Sequence, residues 1–233
     1  MAGHRAPVPR RPAAGTASHS EPALPGPRDV TAPRLALPGV AAPLSNRYSV
    51  MRHGQSKANV AGVIVSSVAA DLAGDYGLSA LGRQQARESA ERCGLPADTV
   101  IVCSDFARAR QTADIARACL GAAEVTAAAE LRERFFGAFD GAPVANYKAV
   151  WGADEAGAGQ APGVEPPAAV LRRAAALVAG LEARYRGRDV LLVSHGDTLQ
   201  ILQAGFAGLD PRFHRRLPHL ETAEVRRLHP AAA

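Results

Sequence analysis

The stretch Asp189-Val190-Leu191-Leu192-Val193-Ser194-His195-Gly196 decides the fold, because it has the pattern of a buried strand that ends at a histidine. An apolar run without alternation is typical of a strand covered on both faces. The stretch Tyr48-Ser49-Val50-Met51-Arg52-His53-Gly54 has the same form. In an open α/β sheet ligands bind at strand ends, so His53 and His195 are expected to meet across one pocket. Arg52, beside the first histidine, indicates chemistry on an anion, with phosphate as the first choice.

Strand and helix patterns alternate outward from these two strands, from residue 47 onward. The further elements predicted are strands at 100–103, near Val125 and at 223–228, and helices at 80–93 (with Ser79 as N-cap), 110–120, 168–185 and after Gly196. Such alternation predicts an α/β fold whose largely parallel sheet is covered on both faces. The segment 140–167 is predicted to be a short, loop-like insertion over the domain.

The first 45 residues are rich in Pro, Ala, Gly and Arg and lack a usable hydrophobic period. They predict a disordered tail (1–45) that precedes one domain over 46–233. A truncation that begins near Leu44 is therefore expected to leave stability and activity unchanged. The apolar share of 47% is sufficient for a sizeable core.

The composition excludes several classes of partner. Residues 1–46 carry five arginines against two carboxylates, so the rest of the chain is close to neutral despite a net charge of +5. No nucleic-acid partner is expected on that charge, and no membrane partner, because no run reaches the length of a membrane-spanning helix. The three cysteines lack metal or redox spacing, which favours free thiols and a cytoplasmic location. The pattern gives no indication of the number of subunits.

Three further segments add polar side chains to the two histidines. The run Ser104-Asp105-Phe106-Ala107-Arg108 places an arginine just past a strand end. The run Leu131-Arg132-Glu133-Arg134 places one carboxylate among arginines, and Asn59 lies in the turn after the first histidine. Together they predict a pocket with two histidines, two or more arginines and one acid. Guanidinium groups are well suited to bind phosphate oxygens.

In order and spacing, these motifs resemble the histidine phosphatase superfamily, the phosphoglycerate mutase-like group that includes fructose-2,6-bisphosphatase-type enzymes. The matching segments are Arg52–Ser56 with Asn59, Ser104–Ala113, Leu131–Gly137 and Ser194–Gly196. The resemblance covers residues 47–228. It implies a phosphoglycerate mutase-like, three-layer α/β/α sandwich with a mostly parallel central sheet.

The resemblance also implies roles for individual residues. His53 would be the nucleophile that forms a phosphohistidine, with its other ring nitrogen donating to the nearby backbone. Glu133 would protonate the leaving group, while Arg52, Arg108 and a cationic His195 would bind the phosphoryl oxygens. The substrate-binding residues implied are Arg52, Gly54, Gln55, Asn59, Arg108 and Gly196. No metal ligand and no cofactor are implied.

Several of these residues also have purely structural interpretations. Taken alone, Glu133 fits a surface ion pair with a neighbouring arginine, and Asn59 fits turn or cap chemistry equally well. Arg110 is expected to lie on a helix surface, because the family pattern selects the arginine two residues earlier. Asp197, after the second histidine, could select the substrate, but the favoured interpretation is a cap of the helix that begins near Thr198.

The function predicted is metal-independent hydrolysis of a phosphomonoester, a small phosphorylated metabolite, through a phosphohistidine intermediate. The first alternative is a cofactor-dependent phosphoglycerate mutase; the stretch 60–77 is unlike the mutases, and 140–167 looks too short and flexible for a closed lid. A catalytically silent phosphate-binding protein and a metal hydrolase fit less well. The residues that select the substrate are expected in 60–77 and 140–167, with Tyr147, Trp151 and Phe139 as candidates.

Overall fold

The computed structural model describes residues 37–40 and 43–228. The strands are β1 (Arg47–Arg52), β2 (Val100–Cys103), β3 (Val125–Ala127), β4 (Asp189–Ser194) and β5 (Val225–Arg227). The helices are α1 (Lys57–Ala61), α2 (Val68–Ala73), α3 (Ala80–Arg92), α4 (Ala107–Leu120), α5 (Tyr147–Ala156), α6 (Pro167–Arg184) and α7 (Gly196–Phe206). None of these helices combines the length and apolarity needed to cross a membrane.

The sheet brings the two histidine-bearing strands side by side. Within the described residues, five strands form one sheet in the order β3-β2-β4-β1-β5. The central strand β4 pairs in parallel with β1 and β2, and only β5 is antiparallel to its neighbour β1. The register places Arg52 opposite Ser194, so β1 and β4 end at the same level. His53 and His195 follow directly and therefore lie next to each other.

Helices cover both faces of this sheet, as predicted. Along β4, Val190 and Leu192 pack into the core formed with α6 and α7, whereas Leu191 and Val193 pack into the core formed with α3 and α4. All four side chains are at most 1% exposed. Burial on both faces explains why the strand is continuously apolar. The three-layer α/β/α sandwich with a mostly parallel sheet is thus confirmed.

The insertion 140–167 differs from its prediction, since it contains the helix α5 (Tyr147–Ala156). Gly157, with a φ of +64°, ends this helix in the left-handed conformation that glycine adopts at little cost. Val150 is buried in a small core with Ile64 and Phe136. Tertiary packing rather than a strong helical pattern stabilises the helix, and the sequence therefore did not reveal it.

The folded part of the chain extends upstream of the boundary predicted at residue 46. Leu37 is only 8% exposed and packs into the core with α6 and α7. Ser45 and Asn46 both donate hydrogen bonds from the backbone to the Glu182 carboxylate of α6, at 2.7 and 3.2 Å. The remainder of the predicted tail, 1–36 and 41–42, lies outside the described residues.

Candidate active site

The carboxyl ends of β1, β2 and β4 surround a cavity of about 300 Å³. The charged and titratable side chains among its lining residues are Arg52, His53, Arg108, Glu133, Tyr147, Asp197, Arg215 and His219. Four of the five predicted catalytic residues thus line one cavity. The fifth, His195, is fully buried beside it, with its ring centroid 5.2 Å from that of His53.

Two hydrogen bonds fix the His53 ring. Nδ1 lies 2.7 Å from the carbonyl oxygen of Gly54, and Nε2 lies 3.2 Å from Nε of Arg108. A carbonyl only accepts and a guanidinium only donates, so Nδ1 carries the proton and Nε2 carries the lone pair, which accepts from Arg108. Burial, with the charges of Arg108 and Arg52, lowers the pKa of His53 well below its ordinary value. The ring is therefore neutral, with the predicted backbone acceptor in place.

His195 is buried behind His53 with one unused ring nitrogen. Nε2 lies 2.8 Å from the Ser104 hydroxyl, whose oxygen also accepts from the backbone N–H of Phe106 at 3.3 Å. Nδ1 has no hydrogen-bond partner in the described part of the chain. Burial and the charge of Arg108 lower the pKa of His195, so it is neutral here, unlike the cation that the resemblance implies. A bound dianion would shift this pKa in the opposite direction.

Arg108, in the first turn of α4, is held by contacts on three sides. Besides the His53 ring, it donates to the carbonyl oxygen of Val65 at 2.8 Å and to Asp71 at 3.4 Å. The Asp71 carboxylate also accepts from the backbone N–H of Ala107 at 3.0 Å, which links α2 to the start of α4. Asp71 was not predicted from the sequence, because its partner Arg108 lies far along the chain and no local pattern indicates this pair.

Arg52 leaves a donor unused at the cavity. Its Nη1 donates to the carbonyl oxygen of Leu220 at 2.8 Å and to Nε2 of His219 at 2.9 Å. Its buried Nε has no partner among the residues described. Gly196, the first residue of α7, faces this group, and a Cβ there would lie 3.7 Å from it. Arg52 Nε and His195 Nδ1 are thus two buried, unpaired nitrogens beside one cavity, an arrangement that favours an oxygen-rich ligand.

Glu133 is a buried acid rather than half of a surface ion pair. One carboxylate oxygen, Oε1, accepts from the backbone N–H of Arg134 at 2.9 Å and from the backbone and hydroxyl of Thr198 at 3.2 Å. Burial, followed by the negative charge of Asp197, raises the pKa of Glu133. A raised pKa is what a carboxylic acid needs to hold a proton near neutral pH.

The arginines on either side of Glu133 point away from it. Arg132 pairs with Asp105 at 2.5 Å, and the fully buried Arg134 pairs with Asp154 of α5 at 2.6 Å. Their positive charges are therefore compensated by other carboxylates. This arrangement explains why the two adjacent arginines do not lower the pKa of Glu133 to its ordinary value.

A sequence model of the histidine phosphatase superfamily (branch 1) matches residues 49–232, which is most of the chain. The chain belongs to this superfamily. The matched residues include the carboxyl ends of β1, β2 and β4, the segments around Arg108 and Glu133, and His195. Among curated proteins no match was found.

Solved structures show the same phosphoglycerate mutase-like fold. "Mycobacterial hydrolase 1" is 30% identical with a TM-score of 0.66, over 78% of this chain and 87% of that chain. A mycobacterial glucosyl-3-phosphoglycerate phosphatase in complex with VO3 is 28% identical with a TM-score of 0.67, over 80% and 99%. A phosphoserine phosphatase from Entamoeba histolytica has the same fold at 22% identity and a TM-score of 0.63, over 78% and 89%.

In this member of the superfamily, Gly54 and Gln55, both predicted to bind substrate, form contacts within the protein and do not line the cavity. The backbone N–H of Gly54 donates to the Thr112 hydroxyl at 3.1 Å. A Cβ at Gly54 would lie 2.3 Å from the carbonyl oxygen of Gly82, so only glycine permits this approach to α3. The Gln55 side chain accepts from the Ser79 hydroxyl at 2.8 Å and does not line the cavity.

Asn59 forms a helix cap and also lines the cavity, so both of its predicted positions are compatible with the structure. Its side-chain oxygen accepts from the backbone N–H of Ser56 at 2.9 Å, while the Ser56 hydroxyl accepts from the backbone of Asn59 at 3.2 Å. This capping box begins α1. Asn59 also lines the cavity.

The predicted role of Asp197 as a helix cap is wrong. The N-cap of α7 is His195, so Asp197 lies inside the first turn. Its carboxylate accepts from Nε1 of Trp151 at 2.9 Å and from Arg134 at 3.4 Å. Asp197 therefore connects α5 to the second histidine strand. Arg110 is exposed on α4, as expected.

The segments 60–77 and 140–167, where the substrate-selecting residues are expected, both contribute residues to the cavity. Val63 and Val65 come from 60–77, and Tyr147 and Trp151 come from α5, whereas Phe139 does not line it. The sequence analysis missed two further lining residues, Arg215 and His219. The only signal for them was the density of arginine and histidine in 212–219.

Proposed function

We propose that this chain is a metal-independent phosphomonoester hydrolase that forms a phosphohistidine at His53. The main support is the fixed state of that ring, which is neutral and has the Nε2 electron pair at a cavity lined by Arg52 and Arg108. A histidine whose other nitrogen is bound to a carbonyl has one defined nucleophilic atom. The superfamily membership and the similar phosphatase structures agree with this reaction.

In the first step, Nε2 of His53 attacks phosphorus, a P–N bond forms and the P–O bond to the leaving group breaks. The leaving oxygen takes a proton from Glu133. Charge on the phosphoryl oxygens is stabilised by the guanidinium groups of Arg52 and Arg108 and by the Nδ1 side of His195. The unpaired nitrogens of Arg52 and His195 gain partners in this step.

In the second step, water attacks the phosphoryl group and the P–N bond breaks, which regenerates the neutral His53. The Glu133 carboxylate takes the proton of this water and is ready for the next cycle. The three hydrogen bonds to Oε1 fix the carboxyl group, and none is formed by Oε2 within the described residues. We assign the proton transfers to Oε2.

The proposed substrate is a small phosphorylated metabolite, because a cavity of about 300 Å³ admits a compact molecule. The three cysteines are free, which agrees with the cytoplasmic location that we propose. The similarity to a glucosyl-3-phosphoglycerate phosphatase supports a phosphatase acting on such compounds.

A phosphoglycerate mutase is the second candidate, and one observation favours it. The insertion was expected to be too flexible for a lid, yet α5 is a helix that places Tyr147 and Trp151 at the cavity. A mutase must keep water from the phosphoenzyme, and an ordered lid contributes to that.

The test is phosphate release from a panel of phosphomonoesters, with EDTA present, by wild type, His53→Ala and the matched pair Arg108→Ala and Arg110→Ala. We expect release by wild type and Arg110→Ala, none by His53→Ala, and a large loss in Arg108→Ala. Release that His53→Ala retains would contradict the proposal. Transfer of the phosphoryl group within 3-phosphoglycerate, without release, would establish the mutase.

A further inference from the structure

Besides Arg52 and Arg108, the cavity is lined by a third guanidinium group, that of Arg215, which is held rigidly at its mouth. Arg215 lies in the short helical turn Pro211–Arg216, with Cζ only 3.8 Å from the ring centroid of Trp151. That ring stacks on Tyr147 at 5.2 Å, with an interplanar angle of 4°. Arg215 also donates to the side-chain oxygen of Gln200. The stack and the hydrogen bond fix the guanidinium plane beside the cavity.

Arg215 differs from its neighbours in having no carboxylate partner. Arg212 pairs with Asp210 at 2.9 Å, and Arg216 pairs with Glu155 at 2.6 Å. Neither Arg215 nor Arg52 forms an ion pair with any carboxylate of the described residues. Both guanidinium groups line the same cavity. Arg52 is assigned to the phosphoryl group together with Arg108, so Arg215 is the guanidinium group that has no role in the proposed reaction.

Asp197 lines the same cavity as Arg215, but its carboxylate already has hydrogen-bond partners. Its carboxylate accepts from Trp151 and Arg134, at 2.9 and 3.4 Å. Because its oxygens are engaged there, Asp197 does not pair with Arg215. A ligand carboxylate can therefore take that place.

His219 lies between Arg52 and Arg215, and its hydrogen bonds conflict. Its Nε2 is 2.9 Å from Nη1 of Arg52, and its Nδ1 is 3.3 Å from Nη1 of Arg215. A neutral imidazole accepts on one nitrogen only, so one guanidinium N–H faces a ring N–H. An anionic oxygen placed between Arg215 and His219 would accept from both and remove the conflict.

We propose that Arg215 and His219 form a second anion subsite, which binds a carboxylate on the same substrate whose phosphoryl group reacts at His53. This inference rests on the proposed function and narrows its substrate to small phosphomonoesters that carry a carboxylate. A planar guanidinium edge matches a carboxylate, and the imidazole N–H supplies a further donor. The subsite lies at the mouth, so it orients the substrate without taking part in phosphoryl transfer.

The test compares two esters of nearly equal shape, 3-phosphonooxypropanoate and its carboxamide, by their kcat/KM. Wild type should prefer the carboxylate. In Arg215→Gln the ratio of the two kcat/KM values should fall about 10- to 100-fold, the value of a charge-assisted hydrogen bond. His219→Gln, at an exposed position, should lower the same ratio by less. The matched control is Arg216→Gln, also stacked on an aromatic ring (Phe213, 4.2 Å), which should leave the ratio unchanged.

Equal activity of wild type on the two esters, or a ratio that Arg215→Gln leaves unchanged, would overturn the subsite. A third substrate, 1,3-propanediol bisphosphate, tests the kind of anion. If wild type prefers it to the carboxylate and Arg215→Gln removes that preference, the carboxylate assignment is overturned in favour of a second phosphate. No phosphate release by wild type from any ester would instead be a failure of the proposed function.

Discussion

The chemistry assigned to His53 follows from the partners of its two ring nitrogens. The carbonyl oxygen beside Nδ1 leaves Nε2 as the ring nitrogen with the lone pair, to which Arg108 donates, and burial keeps the ring neutral. Glu133 has the complementary property, because burial and the negative charge of Asp197 raise its pKa and favour its acid form. A neutral histidine and a carboxyl group with a raised pKa therefore face the same cavity, which suits phosphoryl transfer to a histidine.

Replacement of the acid should discriminate between leaving groups. Glu133→Gln should lower kcat/KM about 10²- to 10⁴-fold for an alkyl phosphate, because the leaving alkoxide needs a proton. The loss should be much smaller for p-nitrophenyl phosphate, whose leaving group needs none. The control is Glu130→Gln, an exposed carboxylate three residues earlier. Equal losses on both esters would count against Glu133 as the acid.

The pH profile should depend on Asp197. Its negative charge helps to raise the pKa of Glu133, so Asp197→Asn should lower that pKa. The acid form of Glu133 would then be lost at a lower pH, and the alkaline limb of kcat/KM should move to lower pH. A smaller fraction of folded Asp197→Asn enzyme would lower the measured rate but would not move the alkaline limb. An alkaline limb that stays in place, or moves to higher pH, would disprove the coupling.

At the scale of elements, two helices outside the regular sandwich position the site. The Asp71 carboxylate of α2 binds Arg108. From α5, Asp154 pairs with Arg134 and the Trp151 indole donates to Asp197. Neither helix has a strong pattern in sequence, and α5 depends on these contacts. The contacts between α5 and the sandwich therefore stabilise the helix. They also place Trp151 and Asp197 in the wall of the cavity.

The buried ion pair of α5 should be needed for stability. Asp154→Ala leaves the fully buried Arg134 without its main partner and should cost about 3 kcal/mol of unfolding free energy, measured in urea. The control is Glu155→Ala, the next residue of the helix, whose exposed pair with Arg216 should contribute no more than about 1 kcal/mol. Equal losses in the two variants would show that the buried pair does not stabilise the helix.

At the scale of the whole molecule, the central sheet decides where the site lies. The apolar runs of β1 and β4 are local features of the sequence, so the meeting of His53 and His195 could be predicted. The pairs Asp71–Arg108 and Trp151–Asp197 join distant segments, and no local pattern indicates them. A carboxylate near a helix start usually caps the helix, which is the role predicted for Asp197, but the N-cap of α7 is His195, two residues earlier.

The upstream limit of the folded chain could not be predicted either, because a single buried leucine, Leu37, produces no periodic pattern in the sequence. Leu37→Ala should cost about 2–3 kcal/mol in unfolding free energy, since it removes a side chain from the core with α6 and α7. A chain that begins at residue 44 should lose at least as much, contrary to the expectation from composition. The control is Leu72→Ala, which is 80% exposed and should change little. A loss in Leu37→Ala as small as in the control would contradict this boundary.

The most direct test of the central claim is to trap the phosphoenzyme during turnover, digest it under alkaline conditions and locate the phosphate by mass spectrometry and phosphorus NMR. We expect one phosphohistidine, at His53 and bonded through Nε2, because Nδ1 donates to the Gly54 carbonyl. Phosphate on another residue or on Nδ1 of His53, or rapid turnover without any phosphoenzyme, would contradict it.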